Sequence, residues 1–318
     1  MQKISARQTT LAAPIEFGGF GVHGAQPVTL TLEPAPPDTG YRIVRVLDDG
    51  QRVGPVDIHF SRVARTTLCT TIDLGESASV ATIEHVLSAL SGLGVDNVLM
   101  TVNGAEFPIL DGSAQPFCEA IISAGLRVLP SMRQFIKVKR AVTVRNNDAF
   151  AALEPYNGRA LDIEIDFDSQ VIGRERMIFD WTPRRYYEDV SSARTFGFVR
   201  DAKILRQAGF ALGSSLENSI AVDNDEILNP GGLRYEDEFV RHKLLDAVGD
   251  LALAGKPIYG RFRSYKGGHG LNALVLSGLF ASPANYEIVS AEELPLVFDE
   301  LDDFPEGLEV ASYLRSVG

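Results

Sequence analysis

Both halves of this 318-residue chain run from β-strand patterns into an apolar helix, and this order limits the folds available to it. In the first half, residues 27–32 alternate polar and apolar side chains like a half-buried strand, and residues 83–93 have helical spacing. In the second half, residues 135–144 predict a strand and residues 239–254 predict a long helix. Strands followed by helices in each half predict an α+β fold, with a helical layer on a mostly antiparallel sheet in each half.

A boundary between the halves is predicted near Pro130, where a new series of strands begins. This prediction gives an N-terminal domain of residues 1–129 and a C-terminal domain of residues 130–318. The helices that contain His85 and His242 are weakly similar in sequence, and each precedes a strand. The similarity is compatible with an ancient duplication and equally with chance, since both helices are rich in Leu and Ala.

Three further segments carry structural predictions. Residues 56–63 alternate like a strand, and His59 falls within it. Residues 196–208 predict a helix. Residues 266–270 predict a glycine-rich loop that holds His269.

The composition is that of a globular protein, with 45% hydrophobic and 23% charged residues. No apolar run is long enough to predict a transmembrane segment, and the first twenty residues lack a secretory signal, so a cytoplasmic location is expected. The net charge of −12 argues against nucleic acid as a partner. The two cysteines, Cys69 and Cys118, are too few for a disulfide framework or a zinc ribbon, so a bound metal would need His, Asp or Glu ligands.

His242 and Asp246 lie one turn apart on the predicted helix 239–254, so their side chains share a face. Asp250 falls on that face one turn later. Neutral imidazoles and carboxylates bind zinc at about 2 Å, and a catalytic zinc takes three ligands from protein. Taken alone, the residues leave a second interpretation open, namely a solvated His/Asp pair on the outside of the helix.

Glu84 and His85 open the predicted helix 83–93 and point about 100° apart. One side chain could therefore bind a metal while its neighbour reaches a water molecule beside the metal. No second histidine follows at the spacing of a His-Glu-x-x-His motif, so a structural role stays open. Thr82 is predicted to cap this helix.

The remaining motifs are less specific. His269, close to Lys266, suits acid catalysis or the binding of a charged group, and equally a surface loop. Thr195 has the default interpretation of a helix cap. Residues 19–24 match the glycine spacing of a dinucleotide-binding motif, but they lead into a strand instead of a helix and predict a tight β-connection.

Taken together, these segments resemble one family, the UDP-3-O-acyl-N-acetylglucosamine deacetylases of lipid A biosynthesis. The resemblance runs over nearly the whole chain, and several long motifs in the same order are far more specific than any single one. The motifs are Thr82-Ile83-Glu84-His85, residues 92–97, residues 109–114, residues 194–198, residues 236–250 and residues 265–272.

The resemblance implies a zinc-dependent hydrolase made of two similar two-layer α/β sandwich domains, of the ribosomal protein S5 domain 2-like fold, with the active site between them. It also implies that an insert near residues 190–222 forms a passage for the acyl chain, with Phe210 to Ile220 along it. The implied zinc ligands are His85, His242 and Asp246. The implied catalytic groups are Glu84 as general base, His269 as acid or electrostatic group, Asp250 as the partner that orients His269, and Thr195 at the oxyanion. The implied substrate-binding residues are Lys243, Lys266, Phe167, Asp166 and Phe196.

One position departs from the family pattern, because this chain has Ala149 where other members commonly carry Lys. The resemblance implies UDP-3-O-acyl-N-acetylglucosamine as substrate, a monomer, and the cytoplasm of a Gram-negative bacterium. Two histidines and one aspartate suit Zn²⁺, with Fe²⁺ as the alternative ion in the cell. Two other functions are weighed against this one: a different sugar N-deacetylase, and a non-catalytic protein that binds nucleotide sugars.

Overall fold

The fold is described from a computed structural model that covers residues 4–296 and 298–299. It consists of mixed β-sheets with helices packed on them, which confirms the predicted α+β class. The described α-helices are α1 (Glu84–Leu93), α2 (Gln115–Ala124), α3 (Pro183–Asp189), α4 (Val199–Gln207), α5 (Glu238–Leu251) and α6 (His269–Phe280).

A five-stranded sheet forms in the first half of the chain, with the order β3-β4-β10-β5-β6. Strand β10 lies between an antiparallel neighbour, β4, and a parallel one, β5. Inward-facing apolar residues alternate along β4 and β10, as the sequence pattern predicts. The strands are β3 (Ile15–Phe20), β4 (Pro27–Pro34), β5 (Tyr41–Val46), β6 (Arg52–Asp57) and β10 (Val98–Val102).

A seven-stranded sheet forms in the second half, and β20 is its central strand. This strand runs parallel to β12 and β15 and antiparallel to β14. The strands are β12 (Gln134–Val138), β13 (Val142–Asn146), β14 (Ala149–Glu154), β15 (Arg159–Asp166), β16 (Arg174–Asp180), β20 (Ile258–Tyr265) and β21 (Tyr286–Ser290).

Smaller sheets and short helices complete the described chain. The remaining strands are β1 (Ile4–Ser5) with β22 (Phe298–Asp299), β2 (Arg7–Leu11) with β11 (Leu126–Met132), β7 (Val63–Arg65) with β8 (Thr71–Gly75) and β9 (Ala78–Val80), and β17 (Phe196–Phe198) with β18 (Ile220–Asp223) and β19 (Glu226–Ile227). Short 3₁₀-helices occupy Phe60–Arg62, Ala252–Ala254 and Ala291–Glu293.

Helices α1 and α5 pack directly against each other and join the two halves. Gly249 makes the close approach possible, because a Cβ atom at this position would lie 2.0 Å from the carbonyl oxygen of Glu84. One turn further along α1, the Ser88 hydroxyl donates to the Leu245 carbonyl at 2.7 Å. The first turn of α1 is therefore held against α5, and a buried apolar cluster with members from both halves surrounds the pair.

The structure corrects several predictions. The segment predicted as a strand at residues 56–63 ends at Asp57, and His59 instead caps the 3₁₀-helix Phe60–Arg62. The predicted helix at 196–208 begins with the strand Phe196–Phe198, because β17 pairs with β18. The predicted strand at 135–144 is two strands, β12 and β13.

Three capping and loop predictions are also wrong. His269 is the first residue of α6 and not a loop residue; its preceding glycines form the approach to that helix. Thr82 does not cap α1, since Ile83 occupies the N-cap position and makes no side-chain capping bond. Thr195 precedes a strand, so it is not a helix cap either.

The described residues include no helix with the length and apolarity needed to cross a membrane. The predicted division at residues 129 and 130 stays a prediction, and the C-terminal part of the second predicted domain, residue 297 and residues 300–318, lies outside the described residues.

Candidate metal centre

Helices α1 and α5 bring His85, His242 and Asp246 together, and one ligand atom from each lies within 4.8 Å of the others. All three side chains are buried. Nε2 of His242 lies 3.3 Å from Oδ1 of Asp246, and Nε2 of His85 lies 3.8 Å from the same oxygen. Ligands of one tetrahedral zinc ion, each about 2.0–2.1 Å from it, lie roughly 3.3–3.5 Å apart. The spacing therefore fits a metal ion held by these three residues.

The protonation states of the two histidines also fit a metal site. Nδ1 of His242 lies 3.0 Å from the Ala193 carbonyl, to which it can only donate, and this leaves the Nε2 lone pair facing Asp246. Burial lowers the pKa of His242, and burial together with the neighbouring His242 imidazole, which disfavours a second cation, lowers the pKa of His85 to about 3. Both imidazoles are neutral at physiological pH, as metal ligands must be.

Asp246 supplies the negative charge of the cluster. Burial alone would raise its pKa, but His242 and Lys243 outweigh that effect and hold the pKa well below its usual range. Lys243 Nζ donates to Oδ2 of Asp246 at 2.6 Å, so the other carboxylate oxygen remains directed at the histidines. The i, i+4 spacing on α5 thus produces a fixed carboxylate beside a fixed imidazole.

Glu84 lies beside this cluster at the start of α1. Its Oε2 accepts a hydrogen bond of 3.0 Å from the backbone N–H of Thr70, which fixes the carboxylate. Burial raises the pKa of Glu84 to about 7, and the nearby carboxylates of Asp250 and Asp246 act in the same direction. A carboxyl group with a pKa near neutrality can both accept and return a proton.

His269 lies across from Glu84, with its Nε2 4.0 Å from Oε1 of that residue. Its Nδ1 lies 2.8 Å from Oδ2 of Asp250. Burial favours the neutral form, but Asp250 and Glu84 outweigh it and raise the pKa of His269 to about 10. Asp250 is held in turn by the Thr70 hydroxyl at 2.6 Å and the Asn272 amide at 2.9 Å, so the pair has a defined orientation.

Aromatic side chains form one wall next to the cluster. The ring of Phe196 lies 5.6 Å from the ring of Phe167 and 6.3 Å from the ring of His242, measured between centroids. Lys243 Nζ lies 5.6 Å from the Phe196 centroid. Three residues to which the family resemblance gives a role in substrate binding, Phe167, Phe196 and Lys243, are therefore connected to the metal-ligand cluster through direct contacts.

The other two, Asp166 and Lys266, form a polar group next to Phe167. Lys266 Nζ lies 3.4 Å from Oδ2 of Asp166, which also accepts from the Tyr265 hydroxyl at 2.8 Å. The same ammonium group donates to Asp148 at 2.9 Å. Ala149 lies next to Asp148 and pairs with Asn146 in the β13–β14 ladder.

Thr195 is positioned by its backbone, whose N–H donates to the Gly112 carbonyl at 2.8 Å. It lies between Ala193, whose carbonyl holds His242, and Phe196. Further along the segment of residues 190–222, the ring of Phe210 packs edge-on against His23 at 5.4 Å. The structure thus connects the side chain of every predicted site residue except Thr195 to its neighbours through hydrogen bonds, ion pairs or ring contacts.

Several residues of this network were not predicted as site residues from the sequence, among them Thr70 and Ala193. Thr70 binds Glu84 through its backbone and Asp250 through its hydroxyl, and Ala193 orients His242 through its carbonyl. A backbone carbonyl carries no residue-type signal. Thr70 lies in the run Cys69-Thr70-Thr71, which has no spacing that distinguishes it from a surface turn.

Comparisons with known proteins agree with this geometry. Residues 8–281 match the family model described as UDP-3-O-acyl N-acetylglycosamine deacetylase. The chain is 42% identical over 297 residues to the UDP-3-O-acyl-N-acetylglucosamine deacetylase of Pseudoalteromonas atlantica, covering 92% of this chain and 97% of that protein. It is also 42% identical over 289 residues to the enzyme of the same name from Brucella ovis, covering 91% of this chain and all of that protein. This chain belongs to the UDP-3-O-acyl-N-acetylglucosamine deacetylase family.

Proposed function

We propose that this protein hydrolyses the N-acetyl group of UDP-3-O-acyl-N-acetylglucosamine, releasing acetate and UDP-3-O-acyl-glucosamine in lipid A biosynthesis. The observation that carries the proposal is the buried cluster of His85, His242 and Asp246 with Glu84 and His269 beside it, in a chain of this family. Amide hydrolysis needs a polarised carbonyl, an activated water and a proton for the departing amine, and this cluster has groups for each requirement.

His85, His242 and Asp246 would hold a divalent ion, with Zn²⁺ as the proposed ion and Fe²⁺ as the alternative. When bound, such an ion polarises a carbonyl group and lowers the pKa of a water molecule. Held by two neutral imidazoles and one carboxylate, a divalent ion would keep a net positive charge at the centre, which would favour developing negative charge on the substrate.

Glu84 is the proposed general base. The carboxylate accepts a proton from the water that attacks the acetyl carbonyl carbon, and a pKa raised to about 7 by burial makes the protonated form stable enough to donate later. The hydrogen bond from Thr70 N–H occupies Oε2 and leaves Oε1 free for the water. The neighbouring position of His85 directs the two side chains about 100° apart, so they act on different atoms.

His269 is the proposed electrostatic group and second acid. Asp250 keeps its imidazole protonated, and the resulting cation stabilises negative charge on the former carbonyl oxygen. The Thr195 hydroxyl is proposed to donate to the same oxygen. As the C–N bond breaks, the amine nitrogen takes a proton from Glu84 or His269, and the products are acetate and the free amine.

The aromatic and basic residues next to the cluster are proposed to hold the substrate. Phe167 and Asp166 would receive the uracil ring, Lys243 and Lys266 would bind anionic or hydroxyl groups of the nucleotide sugar, and Phe196 would line the start of the acyl passage. The contacts of Phe196 with Phe167 and with His242 support one continuous surface from the nucleotide to the reacting group. Because Ala149 cannot contribute a charge, Lys266 has a larger share of phosphate binding in this proposal.

The finer architecture is part of the proposal. Two similar two-layer domains of the ribosomal protein S5 domain 2-like fold, residues 1–129 and 130–318, are supported by the packing of α1 with α2 in the first half and α5 with α6 in the second. The insert near residues 190–222 would form the acyl passage. A monomer in the bacterial cytoplasm is proposed on the same family grounds.

Acetate release from the acylated substrate tests the function directly. We expect Glu84→Gln to retain bound zinc, since it leaves the three ligands intact, and to lose at least about 10²-fold in kcat because an amide cannot accept the proton. Glu175→Gln is the matched control: it changes another carboxylate that accepts a backbone N–H, from Val240, but that has no contact with the metal ligands among the described residues, and it should leave kcat unchanged.

The same assay separates the alternatives. Equal rates with UDP-N-acetylglucosamine lacking the acyl chain would indicate a different sugar N-deacetylase. No acetate from either substrate, with zinc bound, would indicate a nucleotide-sugar-binding protein. Normal turnover of the Glu84→Gln variant would refute the base assignment while leaving the reaction itself intact.

A further inference from the structure

A cavity of about 520 Å³ is lined by residues from both halves of the chain, on the side of α5 away from the metal-ligand cluster. Its wall includes Val248 and Leu251 of α5. At 100° per residue, Leu251 points about 180° from His242, so the helix itself separates the two sites. None of the proposed catalytic or substrate-binding residues lines this cavity. Its volume is in the range of small-molecule sites, roughly 300–1,000 Å³.

The cavity lining includes one half-buried arginine, Arg159, that forms no ion pair with the described residues. Arg159, at the start of β15, stacks on Trp181. Its guanidinium carbon lies 3.6 Å from the centroid of the Trp181 ring. Across the described part of the chain, its side chain has no hydrogen bond and no ion pair with protein, although a guanidinium offers five N–H donors. Burial, together with the charge of Arg133, lowers the pKa of Arg159 to about 9, while the nearby carboxylate of Asp96 acts in the opposite direction.

The nearest charged groups are already engaged. Asp96 binds Arg133 through three hydrogen bonds of 2.7 to 3.1 Å, so it is neutralised. The Tyr41 hydroxyl donates to the Val95 carbonyl at 2.6 Å. Asp96 acts on Arg159 only through space, with no hydrogen bond between the two side chains, so the guanidinium donors of this half-buried residue are available to a partner that comes from solution.

Charged residues at the rim of the cavity also favour an anionic partner. Arg62 and Lys256 line the cavity and are exposed, and the described residues provide neither of them with an ion pair. Asp57 faces Arg42 at 2.9 Å, and Asp38 accepts from Gln8 and Ser131. The surplus of positive charge in this one cavity contrasts with the net charge of −12 for the chain.

We propose that this cavity is a binding site for a small organic anion, with a carboxylate or phosphate head on Arg159 and an apolar body against the cavity wall. Stacking on Trp181 fixes the guanidinium plane, which leaves its edge free for two parallel N–H···O bonds to such a head group. Ile58, Leu153, Leu161 and Phe262 supply apolar wall. The site is independent of the deacetylase reaction proposed above.

Isothermal titration of the full-length, zinc-loaded protein tests this inference, with hexyl phosphate, hexanoate and inorganic phosphate as probes. We expect one-to-one binding of hexyl phosphate or hexanoate, and weaker binding of inorganic phosphate, which lacks the apolar body. Arg159→Gln should weaken binding at least about tenfold. Arg140→Gln, which removes the same charge from an exposed position outside the cavity, should bind as the wild type does.

Acetate release by Arg159→Gln reports that the variant is folded. If that variant does not fold, Lys256→Gln at the exposed rim should weaken binding several-fold, and an unchanged affinity there would overturn the proposal. The proposal also fails if neither amphiphilic probe binds up to about 10 mM, or if Arg159→Gln binds as tightly as wild type. A probe that raises the KM of the deacetylase substrate and survives Arg159→Gln is bound in the catalytic site, which would refute the inference and leave the proposed reaction untouched.

Discussion

The replacement of Gly249 by alanine tests whether the crossing of α1 and α5 builds the metal centre. The added Cβ would lie 2.0 Å from the Glu84 carbonyl oxygen, against about 3.4 Å for an ordinary contact. Because both atoms belong to helix backbones, the helices must separate by more than about 1 Å. His85 is on one helix and His242 and Asp246 are on the other, so this separation opens the ligand set.

The expected magnitudes differ between stability and activity. Overpacking costs about 1–3 kcal/mol, while alanine in place of glycine within a helix returns about 1 kcal/mol. The free energy of unfolding should therefore fall by no more than about 2 kcal/mol. A misplacement of about 1 Å costs about 10²-fold in rate, so kcat/KM should fall by at least that factor.

Three measurements check Gly249→Ala: urea unfolding, zinc content after dialysis, and kcat/KM for acetate release. Gly278→Ala is the matched control, because it adds the same methyl group within α6, where the nearest atom is a methyl group of Val142 at 2.8 Å, which can move. Full zinc occupancy and normal kcat/KM in Gly249→Ala would refute the reasoning. Equal losses of zinc content and kcat/KM in both variants would show a general effect of the added methyl group.

Three further predictions follow from the charges. His242→Ala should lose zinc on dialysis, measured by elemental analysis; unchanged zinc content would remove it from the ligand set. In Asp250→Asn the pKa of His269, raised to about 10 in the native protein, should fall, so the alkaline limb of the kcat/KM profile should move to lower pH; an unmoved limb would show that His269 is not the titrating acid. Burial raises the pKa of Glu175 from 4.5 to about 7. Between these two pH values the folded state therefore binds more protons than the unfolded state does. The free energy of unfolding should fall as the pH rises from about 4.5 to 7. This contribution of Glu175 to the free energy of unfolding should be about 1–2 kcal/mol, because solvent screens its half-exposed side chain. It should be absent in Glu175→Gln when unfolding is followed across the same pH range.

The sequence predicts the catalytic face of α5 well, because helical geometry alone places His242, Asp246 and Asp250 on one stripe. Their separate roles come from tertiary contacts: Asp246 joins His85 from the other half, while Asp250 turns to His269 on α6. The residues alone left that division open, and the family resemblance supplied it.

Side-chain periodicity predicts secondary structure less well where hydrogen bonds to other parts of the backbone decide it. Residues 196–208 have helical spacing, but Phe196 and Phe198 join a parallel ladder with Ile220 and Val222, so the segment begins as a strand. His59 was assigned to a strand by alternation, yet its side chain accepts from the backbone of Ser61 and caps a 3₁₀-helix. In both cases a hydrogen bond to another segment or to the local backbone outweighs side-chain periodicity.

The metal site on one side of α5 can be predicted from the sequence, whereas the proposed anion site on the other side cannot, and the difference has a physical cause. A metal site uses residue types that are scarce, with only five histidines in this chain, and a helix repeats them at a spacing fixed by its own hydrogen bonds. An anion site of the kind proposed at Arg159 depends on charge balance instead. Asp96 is bound by Arg133, which is 37 residues away from it in sequence, and forms no hydrogen bond with Arg159. No spacing rule predicts which of two arginines obtains a carboxylate, because that competition is decided only when the sheets and helices pack.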